Sequence, residues 1–249
     1  MMELNVYGSA TCEDTALVRD RLRALGLDYR YHERQDEARV DEVLKKWNHG
    51  AIVTPTVVFG ADAYAIAEPT LEELETQLRD AGFQFEAPRA IQIRDERKNQ
   101  RLPNFTLPAT QGEDVTLYNL RGRKRAVLFF AHPAAERVCQ GYARQLTNQR
   151  AAFDEYNALP LLILPDALPT ATEWAHEFAR GYAALSDADG RVKQKYAAAL
   201  DVPSADVLLV ILDSYCAPRA YAFGGDAGEL VAPSEIMEWL KLLDCECDE

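Results

Sequence analysis

The sequence is short of positive charge, of long apolar runs and of closely paired cysteines within its apparent motifs. Its 249 residues carry 40 Asp and Glu against 27 Lys and Arg, a formal net charge of -13. Phosphate backbones and anionic membranes call for local positive potential, so neither nucleic acid nor a membrane is expected as a partner. No apolar run approaches the roughly 18 residues of a membrane helix. The opening MMELNVYGSA has neither the basic stretch nor the long apolar stretch of a secretory leader, and we expect a cytoplasmic protein. The five cysteines, Cys12, Cys139, Cys216, Cys245 and Cys247, are an odd number in a mid-sized chain. That argues against a secreted disulfide framework and for free thiols, whose chemistry would be redox or metal chemistry. Low-complexity segments are absent too.

What is present is an alternation of apolar strands and helices, repeated in two blocks. The first runs strand LNVYG, helix 12 to 25, strand DYRYHE, helix 36 to 47, strands TVVFG and AYAIA, and a helix opened by Pro69. We place this domain at 1–84. Residues 85–100 are charged and aperiodic and read as a linker. The second domain, 101–243, has short strands in NFTLPA and DVTLYNL, a buried strand AVLFFA and a long helix through about Phe153. Strand LPLLILP, a helix near 170 to 180, strand YAALSD and helix VKQKYAAAL follow, then strands VLLVILD and RAYAFGG and helix SEIMEWLKLL. An acidic tail, 244–249, ends the chain. The pattern implies an α/β fold with a mixed sheet flanked by helices in each domain.

Cys12 stands where the first strand turns into the first helix. Val18, Leu22 and Leu25 form the apolar stripe of that helix, while Cys12 lies in line with Ala16, Arg19 and Arg23, away from the core. A helix start favours thiolate over thiol, and Glu13 and Asp14 in the same turn oppose it. Either a nucleophile or a structural cysteine fits this position. In IVTPTVVFG a proline precedes an apolar strand at a point where it would spoil the ladder, which a cis Thr54-Pro55 bond would explain.

Taken together, the strand, the turn, Cys12 at a helix start, Thr54-Pro55 before a strand and the helix after EPTLEEL resemble a glutaredoxin. The nearest likeness is to the mycoredoxin-like or NrdH-like small redoxins, over about residues 2 to 82. The resemblance implies that Cys12 is the nucleophile, that Thr15 occupies the resolving position, and that Tyr7 and the loop Thr54, Pro55 and Thr56 line the substrate groove. Cys12-Glu13-Asp14-Thr15 has no second thiol, so the chemistry implied is monothiol exchange. A low-molecular-weight thiol would be co-substrate, protein or small-molecule disulfides would be partners, and no tightly bound cofactor is expected. Some monothiol glutaredoxins share an iron-sulfur cluster between protomers, but CEDT is not their motif, and no metal ligands are assigned.

From Leu102 to Leu240, FTLP, the Gly turn, LYNLRG and the following apolar strand resemble the peroxiredoxin and TlpA-like redoxins of the AhpC/TSA superfamily. Both domains would then have thioredoxin-like folds. Aligned on that family, Cys139 takes the peroxidatic position. Glu136 replaces the activating hydroxyl or first thiol, and the strand near Val207 lacks the family's arginine. Cys139 is also in line with Tyr142, Ala143, Leu146 and Phe153, so a buried core cysteine and a reactive one are both open, with Arg137 beside it able to favour thiolate. His132 reads as a turn residue or a catalytic group, and Cys216 as structural. Cys245 and Cys247 form a C-x-C pair on a mobile tail that could resolve Cys12 or Cys139, capture metal or be inert. The functional expectation is thiol-disulfide exchange through Cys12. A non-catalytic redoxin scaffold, or a thiol peroxidase using Cys139, would be the alternatives.

Overall fold

The structure, a computed structural model, describes residues 3–37, 39–61, 63–94, 100–202 and 205–246. The chain divides into two compact units, Met1–Pro88 and Arg89–Glu249.

In the first unit, β1 (Leu4–Gly8), α1 (Glu13–Ala24), β2 (Arg30–Glu33), α2 (Val40–Trp47), β3 (Thr56–Phe59), β4 (Tyr64–Ala67) and α3 (Leu71–Asp80) follow one another. The sheet order is β2-β1-β3-β4. β1 is parallel to β2 and antiparallel to β3, which is antiparallel to β4. Alternation along β1 and β3 sends Leu4, Val6, Val57 and Phe59 into one core with Val18, Leu22 and Leu25 of α1 and Leu74 and Leu78 of α3. The opening of α3 is made by Thr70 and Glu73, which bond reciprocally as a capping box, rather than by Pro69. α2 starts at Val40, later than the expected 36, because residues 33–37 are taken up in turns closed by Asp36 and Glu37 N–H on Glu33 O.

In the second unit a six-stranded sheet has the order β10-β9-β8-β11-β12-β5. Its strands are β5 (Ile91–Gln92), β8 (Arg125–Phe130), β9 (Ala158–Leu164), β10 (Ala184–Ser186), β11 (Val207–Leu212) and β12 (Pro218–Gly224), and β6 (Thr106–Leu107) pairs with β7 (Val115–Thr116) outside it. β8, β9 and β10 run parallel, and β11, β12 and β5 continue antiparallel. The helices are α4 (Arg137–Asn148), α5 (Arg150–Glu155), α6 (Leu168–Phe178), α7 (Arg191–Leu200) and α8 (Pro233–Cys245). β8 and β11 are almost wholly buried, as a strand covered on both faces should be.

Three further expectations change. The stretch 85–100 is not a free linker where it is described: Phe85 and Ala87 pack on the first core, while Ile91–Gln92 pairs with β12 and Ile93 is buried in the second core. The single helix through Phe153 is broken at Gln149, after Thr147 turns its hydroxyl onto Arg144 O in competition with the helix ladder. The last helix runs on to Cys245, because Arg125 donates to Leu243 O at 3.1 Å and to Asp244 Oδ1 at 3.0 Å.

Candidate thiol site

Gly8 ends β1, and the chain turns through Ser9, Ala10 and Thr11 into α1. Ser9 O accepts Cys12 N–H at 3.0 Å, and the Ser9 and Thr11 hydroxyls bond each other at 2.8 Å. Cys12 is the N-cap residue, with extended backbone, and its carbonyl accepts Ala16 N–H at 3.1 Å. Its side chain does not cap the helix. The partly exposed thiol instead donates to Thr54 O at 3.5 Å.

Thr54–Pro55 is cis, and Pro55 is buried. The chain thus brings Cys12 and Thr54 together from positions 42 residues apart. Three other residues expected at the site are engaged elsewhere. Thr15 is fully buried and fills the space over Gly8, where an added Cβ would meet its Oγ1 and Cγ2 at 2.6 Å. Thr15 thus stands at the resolving position without a thiol and packs inward against the end of β1 instead of facing a substrate. Thr56 is fully buried as well; its hydroxyl donates to Val53 O at 2.9 Å and accepts from Asn48 Nδ2 at 2.9 Å, so it ties the loop to the end of α2. Tyr7 stacks on its cross-strand neighbour His32, with ring centres 4.4 Å apart. His32 in turn lies 3.0 Å from Asn5 Oδ1 and 3.3 Å from Glu37.

In the second unit Cys139 is the third residue of α4 and is 1% exposed. Glu136 caps this helix, accepting from Val138 N–H at 3.0 Å and Cys139 N–H at 2.8 Å. His132 N–H donates to the Cys139 sulfur at 3.5 Å. Burial pushes the thiol far up; the His132 N–H pulls the other way, and the Glu136 and Asp226 charges add to the rise. In this conformation Cys139 is a buried thiol on the apolar face of its helix. The His132 ring sits 2.7 Å from Gly225 O, its Nε2–H held by backbone. Cys216 is buried, in a left-handed turn, and donates to Leu117 O at 3.8 Å.

Cys245 is exposed, at the last turn of α8. Arg125 and an Arg219–Glu246 ion pair hold Asp244 and Glu246, so the described part of the acidic tail, 244–246, is anchored. Arg125 opens β8, and Cys139 follows the far end of that strand, in α4. Cys247 lies outside the described residues. Among the described residues no group of three or more ligating side chains gathers to hold a metal, and no helix is long and apolar enough to cross a membrane.

Sequence reasoning missed Glu33 and Tyr31. Glu33 reaches back to the turn before Cys12, and only the register of β2 on β1, which no local pattern reveals, brings it there.

Residues 99–221 match the AhpC/TSA family, and the second unit therefore carries a peroxiredoxin-like domain. The chain is 33% identical over 96 residues to alkyl hydroperoxide reductase E of Mycobacterium tuberculosis and of Mycobacterium bovis, covering 38% of this chain and 63% of each relative. Among solved structures, the peroxidoxin BcpB from Mycobacterium tuberculosis is similar, with a TM-score of 0.50 and 20% identity over 59% of this chain and 97% of that one. Enterococcus faecalis AhpC is similar to the same degree, with a TM-score of 0.50 and 18% identity over 59% of this chain and 91% of that one. These structural likenesses establish a thioredoxin-like peroxiredoxin fold, a mixed sheet flanked by helices. The family match supports thiol-based redox chemistry.

Proposed function

We propose that the protein is a thiol-disulfide oxidoreductase that works by monothiol exchange at Cys12, in a first unit of glutaredoxin type. The observation that carries this reading is the placement of the Cys12 sulfur: at a helix start, partly exposed, not used as a cap, and 3.5 Å from the carbonyl that precedes Pro55. Thiolate is the attacking species, and access decides which sulfur reacts. Cys12 attacks the sulfur of a mixed disulfide that belongs to a low-molecular-weight thiol. A Cys12–S–S bond to the small thiol forms, the protein substrate leaves as thiolate, and a proton restores its thiol. A second molecule of the small thiol then attacks this adduct. The small-thiol disulfide leaves, and Cys12 returns to the reduced form. Per turnover one free small thiol is consumed: it leaves joined to the small-thiol half of the mixed disulfide, the protein substrate is released as its thiol, and no second protein thiol is required. Glu13 and Asp14 flank the site in the first turn of α1.

A second reading, peroxide reduction at Cys139, is favoured by the AhpC/TSA match and by the likeness to alkyl hydroperoxide reductase E. It requires an opening of α4's first turn that exposes a sulfur now 1% accessible. Turnover of hydroxyethyl disulfide with a reducing thiol, and peroxide consumption with the same thiol, separate the two. The first reading expects Cys12→Ser to abolish disulfide turnover and Cys139→Ser to leave it intact. Peroxide consumption abolished by Cys139→Ser alone would support the second reading and leave the first to stand or fall on disulfide turnover.

A further inference from the structure

The turn that carries Cys12 is fastened from outside by a network on the neighbouring strand. Glu33 closes β2 opposite Gly8 in the β1 register. Its Oε2 accepts Ala10 N–H at 2.7 Å and Tyr31 O–H at 2.5 Å, and its Oε1 accepts Gln35 N–H at 3.3 Å. Arg19, on the same face of α1 as Cys12, lies over the Tyr31 ring with its guanidinium carbon 3.8 Å from the ring centre. Burial alone would push the Glu33 carboxyl up, but the Tyr31 hydroxyl and the Gln35 and Ala10 N–H groups hold it below the ordinary range. Burial, with the bond to Glu33, pushes the Tyr31 phenol up, so that it stays a donor. Ala10 is two residues from Cys12, and this bond to a carboxylate comes from a strand whose register fixes where it can reach.

We propose that Glu33 is a positioning residue of the Cys12 site, clamping Ala10 N–H so that the Ser9–Cys12 turn presents the sulfur at one geometry, with Tyr31 aiming the carboxylate. This rests on the reading of Cys12 as the reacting thiol. The clamp works by hydrogen-bond acceptance, not by charge. A glutamine amide oxygen has two lone pairs and can accept both Ala10 N–H and Tyr31 O–H, whereas alanine accepts neither.

The test is hydroxyethyl disulfide turnover by the full chain carrying Glu33→Ala, Glu33→Gln, Tyr31→Phe or Cys12→Ser, with amide exchange at Ala10 measured alongside. Misplacement of a reacting group is costly, so Glu33→Ala should lower kcat about tenfold with KM changed less than about twofold, and speed exchange at Ala10. Glu33→Gln should restore most of the rate, and Tyr31→Phe, which keeps the ring under Arg19, should lose roughly threefold. Glu33→Ala turning over like the parent despite faster exchange at Ala10 overturns the proposal, and so does Glu33→Gln as slow as Glu33→Ala. If Glu33→Ala does not fold, Tyr31→Phe at the parent rate overturns it. Turnover that survives Cys12→Ser defeats the underlying reading instead, whatever the Glu33 variants do.

Discussion

Two cysteines of this chain stand at helix starts, and what separates them is the group that caps each helix. At α1 the N-cap is Cys12 itself, whose thiol reaches Thr54 O instead of the helix. At α4 the N-cap is Glu136, whose carboxylate takes the N–H of Cys139 and adds negative charge beside a buried sulfur. Native protein at pH 8 should therefore be alkylated at Cys12 at least about tenfold faster than at Cys139, with the difference disappearing in guanidinium, where burial no longer protects the sulfur. Time-resolved peptide mass spectrometry reads both sites in one sample. Glu33 supplies a second expectation. Its carboxyl is depressed in the folded protein, so its contribution to stability is complete above the unfolded value of about 4.3 and is lost as pH falls through the lower folded value. The Tm gap between the parent and Glu33→Ala should be constant from pH 6 to 7 and shrink below pH 4. A gap that widens on acidification would reverse the sign.

At the scale of elements, α1 is joined to α3 by charge as well as by apolar packing. Arg21 is fully buried, with Glu75 Oε1 at 3.7 Å from its Nε, and Arg79 donates to the other Glu75 oxygen at 3.1 Å. Removing one member of a buried pair leaves the other charge poorly compensated, so Glu75→Gln should cost about 3 kcal/mol in denaturant unfolding. Arg21→Met with Glu75→Leu should cost much less than that, since both charges go together. At the far end of the chain, Arg125→Ala should speed amide exchange over Asp244–Glu246 at a cost of about 1 kcal/mol, because two hydrogen bonds on the last turn of α8 are lost. Both ties were invisible in sequence. The stripe Val18, Leu22 and Leu25 announces α1, but Arg21 beside it reads as solvent-facing until α3 is laid against it. The main strands were legible because each is a compact apolar run, whereas two-residue β5 has no period and exists only through its pairing with β12. Cys12 and Pro55 stood out locally. The burial of Thr15 depends on the closeness of Gly8, and the engagement of Thr56 depends on Asn48 at the end of α2, so neither was readable from the motif.

At the scale of the molecule, the chain joins a unit whose thiol, Cys12, is partly exposed to a peroxiredoxin-like unit whose Cys139 is enclosed. That division of roles is the central claim, and it is decided by finding which sulfur takes up a disulfide. A single turnover of the reduced full chain with hydroxyethyl disulfide, quenched by acid and mapped by non-reducing peptide mass spectrometry, traps the mixed disulfide on the sulfur that attacked. The account predicts that the adduct forms first on Cys12 and that Cys139 remains unmodified. An adduct that forms first on Cys139, with Cys12 unmodified, would contradict it.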